Sequence, residues 1–229
     1  IASGGNYNTV VGDEAGTALT TGDGNVAIGF NALKTEDANG QNVAIGFKAL
    51  EDLNAGADGL NTAVGYSAGL NVTTGIQNTL IGGYAGDALT DADFNVAVGT
   101  DALTADTLGS RSVAIGRRSL YTQNFTSATD AYNVGVGFNA GYSVTTGIQN
   151  TFVGGLSGDA TTTANSNAAF GYGSLGANTT GAQNVALGSG ALFSNTTASN
   201  NTAVGLNTLL ANTTGANNVA VGSFALDAN

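Results

Sequence analysis

The chain of 229 residues contains no His, Cys, Pro, Met or Trp, and only 9% of it is charged, against about 25% in a typical globular domain. Without His and Cys, the usual catalytic triads cannot be assembled, and zinc sites built on those ligands are excluded. The lack of Cys leaves the redox compartment open, since both a cytosolic protein and an extracellular one stabilised by other means fit it. Basic residues are scarce as well. Five Lys and Arg stand against 16 Asp and Glu, a net charge of −11, which speaks against nucleic acid and against docking on a bare anionic membrane. No run approaches the roughly 18 apolar residues of a membrane span. The chain begins at Ile1 without a signal peptide and starts and stops in mid-pattern, so the expectation is a piece of a longer polypeptide with any anchor elsewhere.

What is present is a repeat. "NVAIGFNAL" at 25–33 returns as "NVAIGFKAL" at 42–50, and related stretches occur thirteen times. Their first residues are Asn8, Asn25, Asn42, Asn61, Asn78, Asn95, Ser112, Asn133, Asn150, Asn167, Asn184, Asn201 and Asn218, with ten of twelve intervals equal to 17. A short fixed period is the signature of a solenoid. Numbering the first residue 0, position 4 is always Gly, position 3 always apolar and position 7 always Ala, Ser or Thr, while position 8 is Leu or Gly. Glycine costs about 1 kcal/mol in a helix interior, and Val, Ile and Thr favour strands. Each unit therefore reads as one coil of a parallel β-solenoid: a strand, a Gly turn, a short second strand over positions 5 to 8, and a polar return loop. Gly at position 4 suits a positive φ or close backbone approach. The Asn at position 0 reads equally as an amide ladder between coils or as a residue in a left-handed turn. The fold class is all-β, a single β-solenoid (β-roll) domain over 1–229 with about 13 short coils and repeat units in 8–226.

Positions 1 and 3 share one strand face and position 2 the other. Position 3 is apolar and position 2 mostly Ala, so neither face is polar, and such strands are normally covered on both sides. The expectation is that the coil buries one face and that the Ala-rich face meets a neighbouring copy.

"NVAIGFNAL", "NTAVGYSAG" and "NVAVGSFAL" resemble the head repeats of trimeric autotransporter adhesins (YadA-like) and, equally, bacteriophage tail fibre repeats of the same pattern. The resemblance spans 8–226. It implies a homotrimer around a shared axis and a structural and adhesive segment of a fibre that attaches to a cell surface, located outside the cell on a virion tail fibre or a bacterial surface. The partners implied are the chain itself and a cell-surface glycan or receptor. The period departs from the adhesin heads, whose repeat is shorter.

Two irregular intervals place insertions in return loops near 51–60 and 121–132, and solenoid insertions often mark a binding face. The second follows Arg111, Arg117 and Arg118 and carries Tyr121, Phe125 and Tyr132. Cations beside exposed rings suit a glycan, so Arg117, Arg118, Tyr121, Phe125 and Tyr132 are the candidate ligand residues; ion pairs and edge-capping rings are the bland alternative. A longer period also exists: "VTTGIQNTLIGGYAGDA" at 72–88 returns at 144–160, four coils later. There Leu80 and Phe152 replace the small position 2 while Gly83 and Gly155 occupy position 5, which reads as a volume trade between those two positions or equally as shared ancestry of the pair.

The rival classes are a polysaccharide-cutting tail spike, an end-to-end filament and an ice binder. The first needs paired carboxylates, for which Asp91 and Asp93 are the candidates. The last needs alternating Thr, whereas the Thr pairs here are adjacent. No EF-hand loop, nonapeptide calcium repeat or phosphate loop occurs. The expectation is a non-enzyme with no metal and no cofactor.

Overall fold

The β-branched triplets at positions 1 to 3 do form strands. The computed structural model, which describes residues 4–228, has no helix among the described residues and is a parallel β-solenoid of about 13 turns. Each turn contributes one three-residue strand, such as Val26–Ile28, Val43–Ile45 or Val185–Leu187.

The chain gathers into two compact units. One runs to Ser112 and includes Asn124–Thr129; the other comprises Val113–Gln123 and continues from Asp130. In the first, a parallel ladder joins the strands from Thr9–Val11 to Val96–Val98. In the second, a ladder joins Val113–Ile115 through successive coils to Val219–Val221. Like positions face each other even across the irregular intervals: Val43 pairs with Thr62 and Val113 with Val134. The extra residues are therefore absorbed by the return loops.

Position 4 is glycine for two reasons at once. Its φ lies between 122° and 144° in all thirteen coils, a region that side-chain-bearing residues avoid. A Cβ on Gly154 would also lie 2.5 Å from the carbonyl oxygen of Gly171 in the next coil.

The expected second strand is absent. Positions 5 to 8 form turns, because positions 6 and 8 are both left-handed, as in Asn31 (57°) and Leu33 (51°) or Arg118 (57°) and Leu120 (49°). Left-handed residues at alternate positions curl the chain instead of extending it. A left-handed Leu costs roughly 1–2 kcal/mol, which full burial of its side chain, about 1.5–3 kcal/mol, offsets. Backbone bonding still runs from coil to coil, with Lys48 N–H donating to Phe30 C=O (2.8 Å) and Leu33 N–H to Ala49 C=O (3.0 Å).

The two strand faces are also the reverse of the expectation. Position 2 points inward, and Ala27, Ala44, Ala63, Ala97, Ala169, Ala186 and Ala203 are fully buried. Positions 1 and 3 point outward and are half-exposed or exposed. The interior is too narrow for a large residue at every inward site. It already holds Leu33, Leu50, Leu103, Leu120, Leu175, Leu192 and Leu209 from position 8, and the small residues at position 7 turn inward beside them.

Large residues at position 2 are matched inside the core, by position 8 and not by position 5. Leu80 has Gly69 and Gly86 around it, where an added Cβ would meet its methyls at 2.7 Å. Phe152 lies against Gly141 and Gly158 in the same way; a Cβ on Gly141 would sit 2.9 Å from the ring. At position 5, by contrast, a Cβ on Gly83 would meet nothing nearer than 4.0 Å. Position 11 completes the trade. Gly at position 8 goes with Leu19, Val72, Leu89, Val144 and Thr161, and Leu at position 8 goes with Glu36, Asp106, Gln123, Asn178, Asn195 and Asn212. Leu50 with Leu53 is the exception, in the coil with the two-residue insertion.

Two outcomes are expected in thermal or denaturant unfolding. Gly154→Ala destabilises by at least about 1–3 kcal/mol from backbone strain alone, whereas Gly83→Ala stays within about 0.5 kcal/mol. Phe152→Ala costs about 3–5 kcal/mol, and adding Gly158→Leu recovers much of the loss, since Ala with Leu is the pairing that neighbouring coils use.

Candidate ligand-binding surface

Asparagine at position 0 is a structural rung. The Asn25 side-chain carbonyl accepts the backbone N–H of Asn42 (3.0 Å), Asn61 that of Asn78 (2.9 Å), Asn133 that of Asn150 (2.9 Å) and Asn184 that of Asn201 (3.0 Å). Its amide donates to the return loop, as from Asn61 to Gly75 C=O (2.9 Å) and from Asn150 to Ala164 C=O (2.8 Å). Direct amide-to-amide contacts are the longer part of the ladder, at 3.2 Å between Asn78 and Asn61 and between Asn167 and Asn150. The left-handed residue is the one before it, such as Gln41 (62°) or Gln149 (60°), so the turn reading of this Asn falls.

A second ladder escaped the sequence reading. Asn178, Asn195 and Asn212 at position 11 are buried. The amide of Asn195 donates to the carbonyl of Asn178 (3.0 Å), and that of Asn212 to the carbonyl of Asn195 (3.1 Å). Each amide also donates to its own return loop, at Gly181, Ala198 and Gly215. The recurrence of "NTT" at 178, 195 and 212 was the available signal. In two coils of the first unit the same place is held by an acid, Glu36 or Asp106. Glu36 accepts the N–H groups of Asp37, Asn39 and Ala55 at 3.1–3.2 Å, and Asp106 those of Gly109 and Phe125 at 3.1 Å. Burial pushes the Glu36 carboxyl above its ordinary value, against the pull of those N–H donors. Asn at this position is one reason that later coils carry so little charge.

The five candidate glycan residues do not share one environment. Phe125 is buried, its ring edge reaching over Gly109, so it offers no surface to a ligand. Tyr121 stacks on Tyr142 with centroids 5.0 Å apart and planes within 1°, and Arg118 lies 5.4 Å from the Tyr121 ring. Arg117 is exposed, 5.9 Å from the Phe138 ring, and Tyr132 is 50% exposed. In the first unit, Phe30, Phe47, Tyr66 and Tyr84 form a file with centroids 5.0–5.3 Å apart. Phe47 is stacked between Phe30 and Tyr66, while Tyr84 is tilted 60° to the Tyr66 ring.

Asp91 and Asp93 serve as rungs between coils. Asp91 accepts from the Thr74 hydroxyl (2.7 Å) and Asp93 from the Ile76 N–H (2.8 Å). Loop threonines are spent similarly: the hydroxyls of Thr145, Thr162, Thr179 and Thr196 each donate to the carbonyl one coil on, at 3.0–3.3 Å. Among the described residues no three His, Cys, Asp or Glu side chains gather where they could hold a metal ion, and no helix is long and apolar enough to cross a membrane.

Compared with protein-family models, curated proteins and solved structures, the chain matches none.

One buried acid, Glu36, and two half-buried ones, Asp87 and Asp159, set a pH dependence. Glu36, Asp87 and Asp159 are all raised, chiefly by burial. Just above the ordinary carboxylate range the native state then binds more protons than the unfolded chain, so their contribution to stability falls as pH rises through that window. The melting temperature is expected to climb as pH is lowered from neutrality into it, and Glu36→Gln to flatten the climb.

Proposed function

We propose that this chain is a structural and adhesive segment of an extracellular homotrimeric fibre, of the phage tail fibre or bacterial adhesin type, that attaches to a cell surface through a glycan or receptor. One observation carries the reading: the outward strand face. Every residue at positions 1 and 3 is Val, Ile, Thr, Ala, Leu or Phe, with no charge in thirteen coils. Ile81 and Ile115 are each 39% exposed and Phe170 42%. Contiguous apolar surface of this kind marks an interaction site, and in a chain of net charge −11 a stripe free of charge is where identical copies meet without repulsion.

The shared axis comes from the resemblance of the repeat. A strand face only three residues wide is about 10 Å across, narrow enough for three copies to converge on one line. Lateral packing would cover the stripe and leave the return loops outward for recognition.

Sedimentation equilibrium is expected to give three times the 22.4 kDa chain mass, unchanged on dilution. Ile45→Asp together with Val64→Asp should lower that mass while leaving the β circular dichroism intact, because both side chains point away from the core. A monomeric wild-type protein would overturn the trimer. Failure of the labelled trimer to bind any cell surface would overturn the adhesive role.

A further inference from the structure

We propose that the hollow between Leu156 and Leu210, floored by Gly173 and centred on Tyr172 and Phe193, is a binding site for a neutral saccharide; this rests on the adhesive reading above. Two surface files run along the coil at positions 6 and 9. Position 6 is filled nearly everywhere, by Arg118, Asn139, Leu156 and Asn207 among others, but Gly173 and Gly190 leave two successive gaps. Position 9 has one glycine, Gly176, in the same coil as Gly173. Three side chains are thus missing side by side. The Asn207 amide leans into the gap at Gly190 and the Phe193 ring into that at Gly176, and two adjoining hollows of about 280 Å³ and 350 Å³ remain, sharing Tyr172, Gly173 and Phe193. Together they reach the range of small-ligand pockets, roughly 300–1,000 Å³.

The lining chooses the ligand. Tyr172 is 65% exposed and Phe193 47%. Among the described residues no ring stacks on Tyr172, unlike Tyr121 or the Phe30 file. The Phe193 ring edge rests over the Cα of Gly173 and Gly176. An apolar platform of this shape suits the C–H face of a pyranose. Asp159 borders one hollow and Asn207 and Ser189 the other, giving acceptors and donors for hydroxyl groups around the platform. No Lys or Arg lines either hollow, and the one charge present is negative. That disfavours sialylated or phosphorylated sugars and leaves an uncharged chain, with one ring on each side of Phe193.

The site can be filled without harming the fold. Gly173 is left-handed (62°), as is Asn139 (55°) at the same position two coils away, and a Cβ on Gly173 would make only ordinary contact with Phe193 at 3.5 Å. Gly173→Asn is therefore a blocking substitution the solenoid tolerates, and Tyr172→Ala removes the platform. The purified protein would be titrated with neutral hexasaccharides (α- and β-linked glucose, mannose and xylose series) by calorimetry, with a sialylated oligosaccharide as control. At least one neutral chain is expected to bind, and both substitutions to weaken it at least tenfold, while Asp52→Asn, at an exposed residue of the first unit, leaves it unchanged. Binding that survives Gly173→Asn and Tyr172→Ala, binding of the sialylated sugar alone, or no binding of any neutral chain would each overturn the site. Cell binding assayed in parallel separates the two ideas. Wild type that adheres to cells, with Gly173→Asn adhering equally well, leaves the adhesive fibre standing and removes only the hollow.

Discussion

The structure depends on the narrowness of one coil. Seventeen residues enclose an interior that takes roughly one long side chain per level, and every inward position must share it. The small residues at positions 2 and 7, the Leu-or-Gly choice at position 8 and the apolar-or-polar choice at position 11 are one constraint seen at several places. Where Phe152 enters, two glycines, Gly141 and Gly158, make room. Packing at interior density leaves little tolerance for an added methylene, so these exchanges hold between neighbouring coils as well as within one.

Polar groups obey the same constraint. A return loop closing over so small an interior brings backbone N–H and C=O groups inside, where an unpaired group costs about 1–3 kcal/mol. The position 0 Asn meets both needs at once, accepting from the next coil and donating to its own loop. Position 11 repeats the solution with Asn178, Asn195 and Asn212, or with a carboxylate as in Glu36. A ladder of amides gives axial bonding without net charge, whereas a buried carboxylate carries the desolvation that raises Glu36.

The period, the parallel stacking and the need for Gly at position 4 were legible because they follow from backbone geometry, which recurs unchanged in every coil. Which strand face lies inside was not. Both faces are apolar, and hydrophobicity alone ranks Ile45 as more buried than Ala44, while steric room decides the opposite. The second strand was over-read for a related reason: Ala and Leu at positions 7 and 8 permit extension, and only the left-handed φ values of residues such as Leu33 and Leu120 turn the chain. Phe125 looked like an exposed loop ring because an insertion reads as surface, yet its ring found space above Gly109. The hollow at Tyr172 was invisible in the sequence because it is defined by three absent side chains in two files that adjoin only once the coils are stacked.

The bracketing of Phe152 and Leu80 by paired glycines bears on how such a chain can change length. A coil of the Ala-and-Leu kind brings its own filling and can be added or lost alone. A coil with a bulky position 2 borrows space from the coil before it, so removing either partner leaves a void or a clash. Length should then vary in single steps among the Ala-and-Leu coils and in larger blocks elsewhere. The return of residues 72–88 at 144–160, four coils on, with Gly69 and Gly86 matched by Gly141 and Gly158, is what inheritance by such blocks would leave behind.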